Sequence, residues 1–196
     1  RYMEAGNQDA AIGFIYHAEQ KYTQESESVA ASMALCRCSE DALTMLGAVS
    51  QAAPNLDLGT GIIPIQIRSP ALAAMSAATL QALNPDVDVW LGVGVSAPGI
   101  LNQHGVPTTD KPIGMMREYV ALFKECLSGE SVTFEGDYFQ TKRFRLGMRL
   151  EERKPKIVMA ALNPQMLKLA GEIADGVLLN YIPVSYTHLR AHETGR

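Results

Sequence analysis

The most constraining feature of this sequence is an alternation of short apolar segments with longer segments of helical period. After two N-terminal segments of helical period, residues 10–22 and 39–53, the predicted order is strand, helix, strand, helix, hairpin, strand, helix, strand. Strands separated by helices are joined by crossovers, so the order predicts a largely parallel sheet with right-handed connections. The predicted fold class is therefore α/β, and a doubly wound sheet and a (β/α)8 barrel both satisfy it.

The predicted strands cover residues 56–65, 87–95, 156–161 and 177–181, with a hairpin at 132–139 and a weakly marked strand at 28–32. The predicted later helices cover residues 70–83, 110–127 and 164–174. About five βα units fit into this chain, whereas a closed barrel takes about 250 residues. In the first long strand, Gly59, Gly61 and Pro64 are poor choices for regular pairing, so we expect a bulge or a close approach of a cofactor there.

Three helix starts carry capping signals. Ser39 is a predicted N-cap, and Ser69 precedes a proline at the first helical position. Asn163 precedes Pro164 in the same way, and we expect it to leave the amides of Gln165 and Met166 free at the strand edge. Free amides at a helix start bind anions, although an ordinary cap has the same sequence.

Composition excludes several classes of function. Of the 196 residues, 47% are apolar and 19% charged, and the net charge of -4 comes without a cluster of Lys and Arg, so nucleic acid is not an expected partner. No apolar run approaches the roughly 20 residues of a membrane span, and the chain opens without a leader pattern, so we expect a cytoplasmic protein. The three cysteines predict neither disulfides nor a zinc site, and His188 with His192 lacks a third ligand, so no metal is expected.

The segment from Trp90 to Gly99, WLGVGVSAPG, is an apolar strand that runs into a glycine-rich turn. A dinucleotide site needs a third glycine and an immediate helix, but Ala97 follows the two glycines and residues 98–104 read as a loop. The glycines could instead serve only close packing at the strand end. We favour a third interpretation, in which a barrel strand carries a site at its C-terminal end.

An ordered series of motifs resembles the bacterial luciferase-like monooxygenases, and in particular their branch that uses the deazaflavin coenzyme F420. The resemblance covers roughly residues 42–183. The motifs are Leu58-Gly-Thr-Gly-Ile-Ile-Pro-Ile65, Arg68-Ser-Pro70, Leu91-Gly-Val-Gly94, His104-Gly-Val-Pro107, Arg117-Glu-Tyr119, Phe134-Glu-Gly-Asp-Tyr-Phe139, Ala160-Ala-Leu-Asn-Pro164 and Leu169-Ala-Gly-Glu-Ile-Ala-Asp-Gly176.

The resemblance implies a TIM barrel, partial here, whose flavin or deazaflavin lies across the C-terminal strand ends. It also implies a bulge within residues 58–65, often with a cis peptide that does not precede proline. The implied reaction is hydride transfer between C5 of coenzyme F420 and a small organic substrate, and the alternative is an FMN-dependent monooxygenase. The implied cofactor-binding residues are Thr60, Gly61, Ile62, Gly94, Ser96, Ala161, Leu162, Asn163 and Met166, with Gly61 and Ile62 behind the ring, Gly94 and Ser96 on the reaction side, and the last four near the phosphate.

The sequence also departs from the family pattern. Ala97 stands where several members have a glutamate, so no catalytic residue is assigned. Residues 26–38 replace an expected buried strand and loop with sequence of the kind that a frameshift leaves. Residues 184–196 resemble translated sequencing-adapter read-through, so we predict one domain over 1–183 and a non-native tail. An open half barrel would expose strand edges, which predicts a homodimer or aggregation, and an inactive fragment or binding-only relative is the further alternative.

Overall fold

The computed structural model describes residues 31–34, 41–150 and 152–179. The strands are β1 Ala31–Ala34, β2 Asp57–Thr60, β3 Ile63–Pro64, β4 Val89–Gly94, β5 Val132–Glu135, β6 Gln140–Phe144, β7 Lys156–Ala160 and β8 Gly176–Leu178. The helices are α1 Ala42–Ala52, α2 Pro70–Leu83, α3 Pro98–Gln103, α4 Pro112–Cys126 and α5 Pro164–Ile173.

The main sheet is parallel throughout, as the alternation of segments predicts. Its strand order is β1, β2, β4, β7, β8, and β3 pairs with β4 beyond the end of β2. The hairpin of β5 and β6 is antiparallel and forms a separate two-stranded sheet. Because every main-sheet strand runs the same way, all of their C-terminal ends lie at one edge.

Helices pack against the sheet and against each other through small and apolar side chains. Four alanines of α2 are fully buried in the core, which lets this helix approach the sheet closely. Helix α4 adds larger side chains to the same core. Ser69 caps α2 by accepting a hydrogen bond from the amide of Leu72 at 3.3 Å, and Pro70 takes the first helical position, as predicted.

The structure corrects several predicted boundaries. Helix α1 begins at Ala42, later than the predicted start at residue 39, because Asp41 caps it with a carboxylate that accepts from the amide of Thr44 at 2.9 Å. The segment predicted as a loop at 98–104 contains α3, because Pro98 presets the first helical turn and a single buried side chain, Leu101, anchors it without an amphipathic period.

Two strand predictions also shift. The second hairpin strand begins at Gln140, one residue beyond the predicted end of the hairpin, since residues 136–139 form the turn. Strand β8 begins one residue earlier than predicted. The predictions for residues 10–22, for Ser39 and for the tail at 184–196 lie outside the described residues, and so does most of the weak strand at 28–32, of which β1 contains the end.

Candidate functional site

The predicted bulge lies where β2 passes into β3. Gly59 pairs with Trp90, and Ile63 pairs with Val93, so the three residues 60–62 face only two residues of β4. One extra residue on one of two paired strands defines a β-bulge. The peptide bond between Gly61 and Ile62 within it is cis, as the family resemblance implied.

Thr60 connects the bulge to β4 through its side chain. Its hydroxyl donates to the carbonyl oxygen of Gly92 at 2.8 Å and accepts from the amide of Gly92 at 2.9 Å. The residue is 4% exposed, so these bonds lie out of water. The hydroxyl therefore takes the place of ladder hydrogen bonds that the bulge interrupts.

Two glycines of β4 allow the bulge to lie close against it. A Cβ atom on Gly92 would lie 1.8 Å from the carbonyl oxygen of Thr60 and 3.3 Å from Cγ2 of Ile62. A Cβ atom on Gly94 would lie 2.5 Å from Cδ1 of Ile62 and 3.2 Å from Cβ of Ala160. The Ile62 side chain thus lies over both glycines and next to β7. The structure thus brings together three of the predicted residues, Thr60, Ile62 and Gly94. Ala160 at the end of β7 lies beside them and was not among the predicted cofactor-binding residues.

The end of β7 presents the other predicted residues in different environments. The buried Ala161 donates its amide to the carbonyl oxygen of Leu178 at 3.2 Å, which joins the ends of β7 and β8. Leu162 is 74% exposed at the sheet edge. Asn163 caps α5 as predicted.

The predicted role of Met166 needs a correction. Its amide donates to the Oδ1 atom of Asn163 at 2.9 Å, because the cap uses this amide, and its side chain is buried in the core. Gln165, at the second helical position, has no carbonyl four residues earlier within the helix to accept from its amide. At the start of α5, the amide that remains available for an anion is therefore that of Gln165. Ser96 is half-buried just beyond β4.

The Arg68 motif belongs to the packing of helices and not to the strand ends. Arg68 donates to the carboxylate of Asp41 at 2.5 Å and to the hydroxyl of Ser76 at 3.2 Å.

Burial raises the pKa of Tyr119, and the positive charge of Arg68 opposes this shift. The Tyr119 hydroxyl is buried with no hydrogen-bond partner in the described part of the chain, and the same holds for the side-chain amide of Gln66.

The motif at 134–139 is structural as well. The carboxylate of Glu118 on α4 accepts hydrogen bonds from the three successive amides of residues 137–139 at 2.9, 2.9 and 3.2 Å. A Cβ atom on Gly136 would lie 2.3 Å from the same carboxylate, so a larger residue there would displace the Glu118 side chain from the turn. Glu118 therefore fixes the hairpin turn to the helix, a role that the spacing of 20 residues did not reveal.

Within residues 31–34, 41–150 and 152–179, no three or more His, Cys, Asp or Glu side chains are grouped so that they could hold a metal ion. None of the helices in these ranges is both long and apolar enough to cross a membrane.

A parallel sheet with a bulge and with glycines at its strand ends agrees with the family to which the sequence is matched. The chain belongs to the family of luciferase-like monooxygenases, whose model matches residues 16–193. The resemblance that the motifs carried is thereby confirmed.

Individual relatives point to one branch of that family. Over 137 residues the chain is 31% identical to a 5,10-methylenetetrahydromethanopterin reductase of Archaeoglobus fulgidus, and the match covers 70% of this chain and 40% of the relative. Over 138 residues it is 33% identical to an F420-dependent glucose-6-phosphate dehydrogenase of Nakamurella multipartita, covering 69% and 40%. The chain thus spans about 40% of the length of these curated relatives.

Solved structures confirm the fold. The coenzyme F420 dependent tetrahydromethanopterin reductase of Methanopyrus kandleri superimposes with a TM-score of 0.71 at 24% identity, over 86% of this chain and 52% of that one. The oxygenating constituent of 3,6-diketocamphane monooxygenase of Pseudomonas putida, in complex with FMN, gives 0.68 at 19% identity, over 87% and 52%. The sheet of this chain is therefore part of a (β/α)8 barrel, as predicted.

Proposed function

We propose that the chain carries the cofactor-binding strand ends of a deazaflavin-dependent oxidoreductase, which transfers a hydride between coenzyme F420 and a small organic substrate. The observation that carries the proposal is the position of Ile62, which the bulge holds over Gly94 beside β7. Relatives named as F420-dependent support this choice of cofactor.

The residues at the strand ends fit a flat ring with an anionic tail. Ile62 presents a half-buried apolar side chain, and Gly61 before it is half-buried without any side chain. An apolar surface of this kind stacks against a planar ring without desolvating a polar group. Beyond β7, the exposed start of α5 offers the Gln165 amide and the positive end of the helix to an anion.

Each part of the site then has a separate task. Gly61 and Ile62 back the ring, the segment from Gly94 to Ser96 lines the side on which the substrate lies, and the start of α5 at Gln165 holds the anionic end. When bound, the deazaflavin supplies the hydride-transfer chemistry at C5. The protein supplies orientation and exclusion of water, which keeps the reacting atoms in a productive arrangement.

An FMN-dependent monooxygenase is the second candidate. It is favoured by the fold likeness to the FMN complex of the diketocamphane enzyme. Both candidates use the same strand ends, since a flavin and a deazaflavin share a tricyclic ring and a phosphate-bearing tail. Titration with each cofactor separates them, because the preferred cofactor binds at the lower concentration.

The placement of the ring is tested by Gly61→Val, with Gly47→Val as the matched control. A valine at Gly61 fills the space beneath the ring, so cofactor binding is expected to be lost. Gly47 lies in α1, and a Cβ atom there meets nothing within 4 Å, so its variant is expected to bind as the parent does. Affinity is measured by titrating coenzyme F420 and following its fluorescence. Unchanged affinity of Gly61→Val would contradict this placement of the ring.

A further inference from the structure

We propose that Thr60 is a positioning residue of the cofactor site, which acts through Gly92 and Ile62 without touching the cofactor. The proposal rests on the proposed function and deepens it. It gives the Thr60 hydroxyl a task different from the direct cofactor contact that the family resemblance implied for this residue.

The Thr60 hydroxyl is fully engaged inside the protein. It donates to one backbone group of Gly92 and accepts from the other, at 2.8 and 2.9 Å. At 4% exposure, the residue has no free surface of a size that a ring could cover. A hydroxyl that pairs with both the backbone N–H and the backbone C=O of one buried residue links two strands.

This link lies at the point where the pairing changes register. Before it, Gly59 faces Trp90, and after it, Ile63 faces Val93, with one extra residue on the side of Thr60. If the hydroxyl is absent, the buried N–H and C=O groups of Gly92 lose their partner. The segment of β2 and β3 then lowers its free energy by sliding into regular pairing with β4. A slip of one residue turns the side chains of that segment to the opposite face of the sheet.

The position of Ile62 depends on this register. The Cγ2 atom of Ile62 lies 3.3 Å from where a Cβ atom on Gly92 would be, and its Cδ1 atom lies 2.5 Å from where a Cβ atom on Gly94 would be. The side chain therefore occupies the channel that the two glycines leave open. Because Thr60 holds Gly92 and Ile62 lies on Gly92, the hydroxyl determines where the proposed ring-backing side chain sits.

The experiment compares Thr60→Val, which removes the hydroxyl at nearly equal volume, with Thr60→Ser, which keeps it. The dissociation constant for coenzyme F420 is measured by fluorescence titration, and hydrogen exchange of the Gly92 amide is measured without cofactor. We expect Thr60→Val to weaken binding about 10-fold or more, which corresponds to about 1.4 kcal/mol. We expect Thr60→Ser to stay within about 3-fold of the parent, and the Gly92 amide to lose protection only in the valine variant.

A core variant separates positioning from general loss of stability. Val120 is buried in α4, a helix that packs against α2, α5 and β5. Val120→Ala is expected to lower the unfolding midpoint and to leave the dissociation constant unchanged. If the affinity falls in proportion to stability in both Val120→Ala and Thr60→Val, the positioning role is refuted.

Each remaining outcome decides between the two proposals. Equal affinity of Thr60→Val and the parent refutes the positioning role, and so does equal weakening by Thr60→Ser. If the parent binds neither coenzyme F420 nor FMN, the proposed function fails, and the positioning role fails with it. Exchange of the Gly92 amide still reports whether the link itself exists. If Thr60→Val does not fold cooperatively, Thr60→Cys replaces it, because a thiol is a weaker hydrogen-bonding group than a hydroxyl. The dissociation constant of Thr60→Cys is then expected to lie between that of Thr60→Ser and a value about 10-fold above that of the parent.

Discussion

Replacement of Gly92 by alanine tests the close contact between the bulge and β4. The added Cβ atom would lie 1.8 Å from the carbonyl oxygen of Thr60 and 2.9 Å from its carbonyl carbon, so backbone and not a flexible side chain has to move. Overpacking costs about 1–3 kcal/mol, and the two hydrogen bonds between Thr60 and Gly92 contribute about 0.5–1.5 kcal/mol each. We therefore expect Gly92→Ala to lower the free energy of unfolding by about 3 kcal/mol or more.

Urea unfolding followed by circular dichroism measures this loss, with Gly47→Ala as the matched control. Gly47 lies in the interior of α1 with open space around its Cα atom, so alanine there is expected to stabilise the protein by about 0.5–1 kcal/mol. The same substitution thus has opposite signs at the two positions. A Gly92→Ala variant within about 1 kcal/mol of the parent would refute the described approach of Thr60 to β4.

Three further predictions concern the elements around the site. Glu118→Ala removes the acceptor of three hairpin amides, so we expect limited proteolysis to cleave the hairpin turn faster than in the parent, and equal cleavage rates would contradict the anchor. Asn163→Ala is expected to cost about 1 kcal/mol in urea unfolding through loss of the α5 cap, and no loss would refute the cap. Burial raises the pKa of Asp41, but hydrogen bonds from Thr44 and the charge and hydrogen bond of Arg68 outweigh this effect and lower it. The stability from Asp41 is therefore present above the unfolded pKa of about 3.9 and is lost as the pH falls through the lower folded pKa, so Asp41→Asn should flatten the acid limb of a stability profile below about pH 4. An unchanged acid limb would contradict this.

The features that the sequence predicted are those that local patterns determine. The parallel sheet follows from the alternation of segments, and the caps at Ser69 and Asn163 follow from a capping residue directly before proline. The bulge follows from glycine and proline inside an apolar strand. In each case the signal and the structure occupy the same few residues.

The features that the sequence did not predict depend on a contact between distant segments, on the burial of one side chain or on a side-chain rotamer. The link from Thr60 to Gly92 spans 32 residues, and no local pattern marks it. Helix α3 depends on one buried side chain, Leu101, which is too little for a helical period. The engagement of the Met166 amide follows from the side-chain rotamer of Asn163, which residue type alone does not determine.

The two glycines of β4 show how one sequence pattern gains a specific meaning. Gly92 and Gly94 indicated a dinucleotide turn, simple packing or a barrel strand end. Their Cα atoms face Thr60 and Ile62, which confirms the packing interpretation, and the site that we propose at this strand end uses the same contacts. The family match to residues 16–193 and the likeness to solved structures favour a barrel strand over a dinucleotide turn.

The measurement that tests the central claim most directly is thermal unfolding of the purified chain alone, with FMN and with coenzyme F420. A ligand at 100 times its dissociation constant stabilises the native state by about 2.7 kcal/mol. For a domain of this size, that corresponds to a rise of about 5–10 °C in the midpoint. We predict a cooperative transition that coenzyme F420 raises by this amount and FMN raises less. A midpoint that coenzyme F420 leaves unchanged, or the absence of any cooperative transition, would contradict the account.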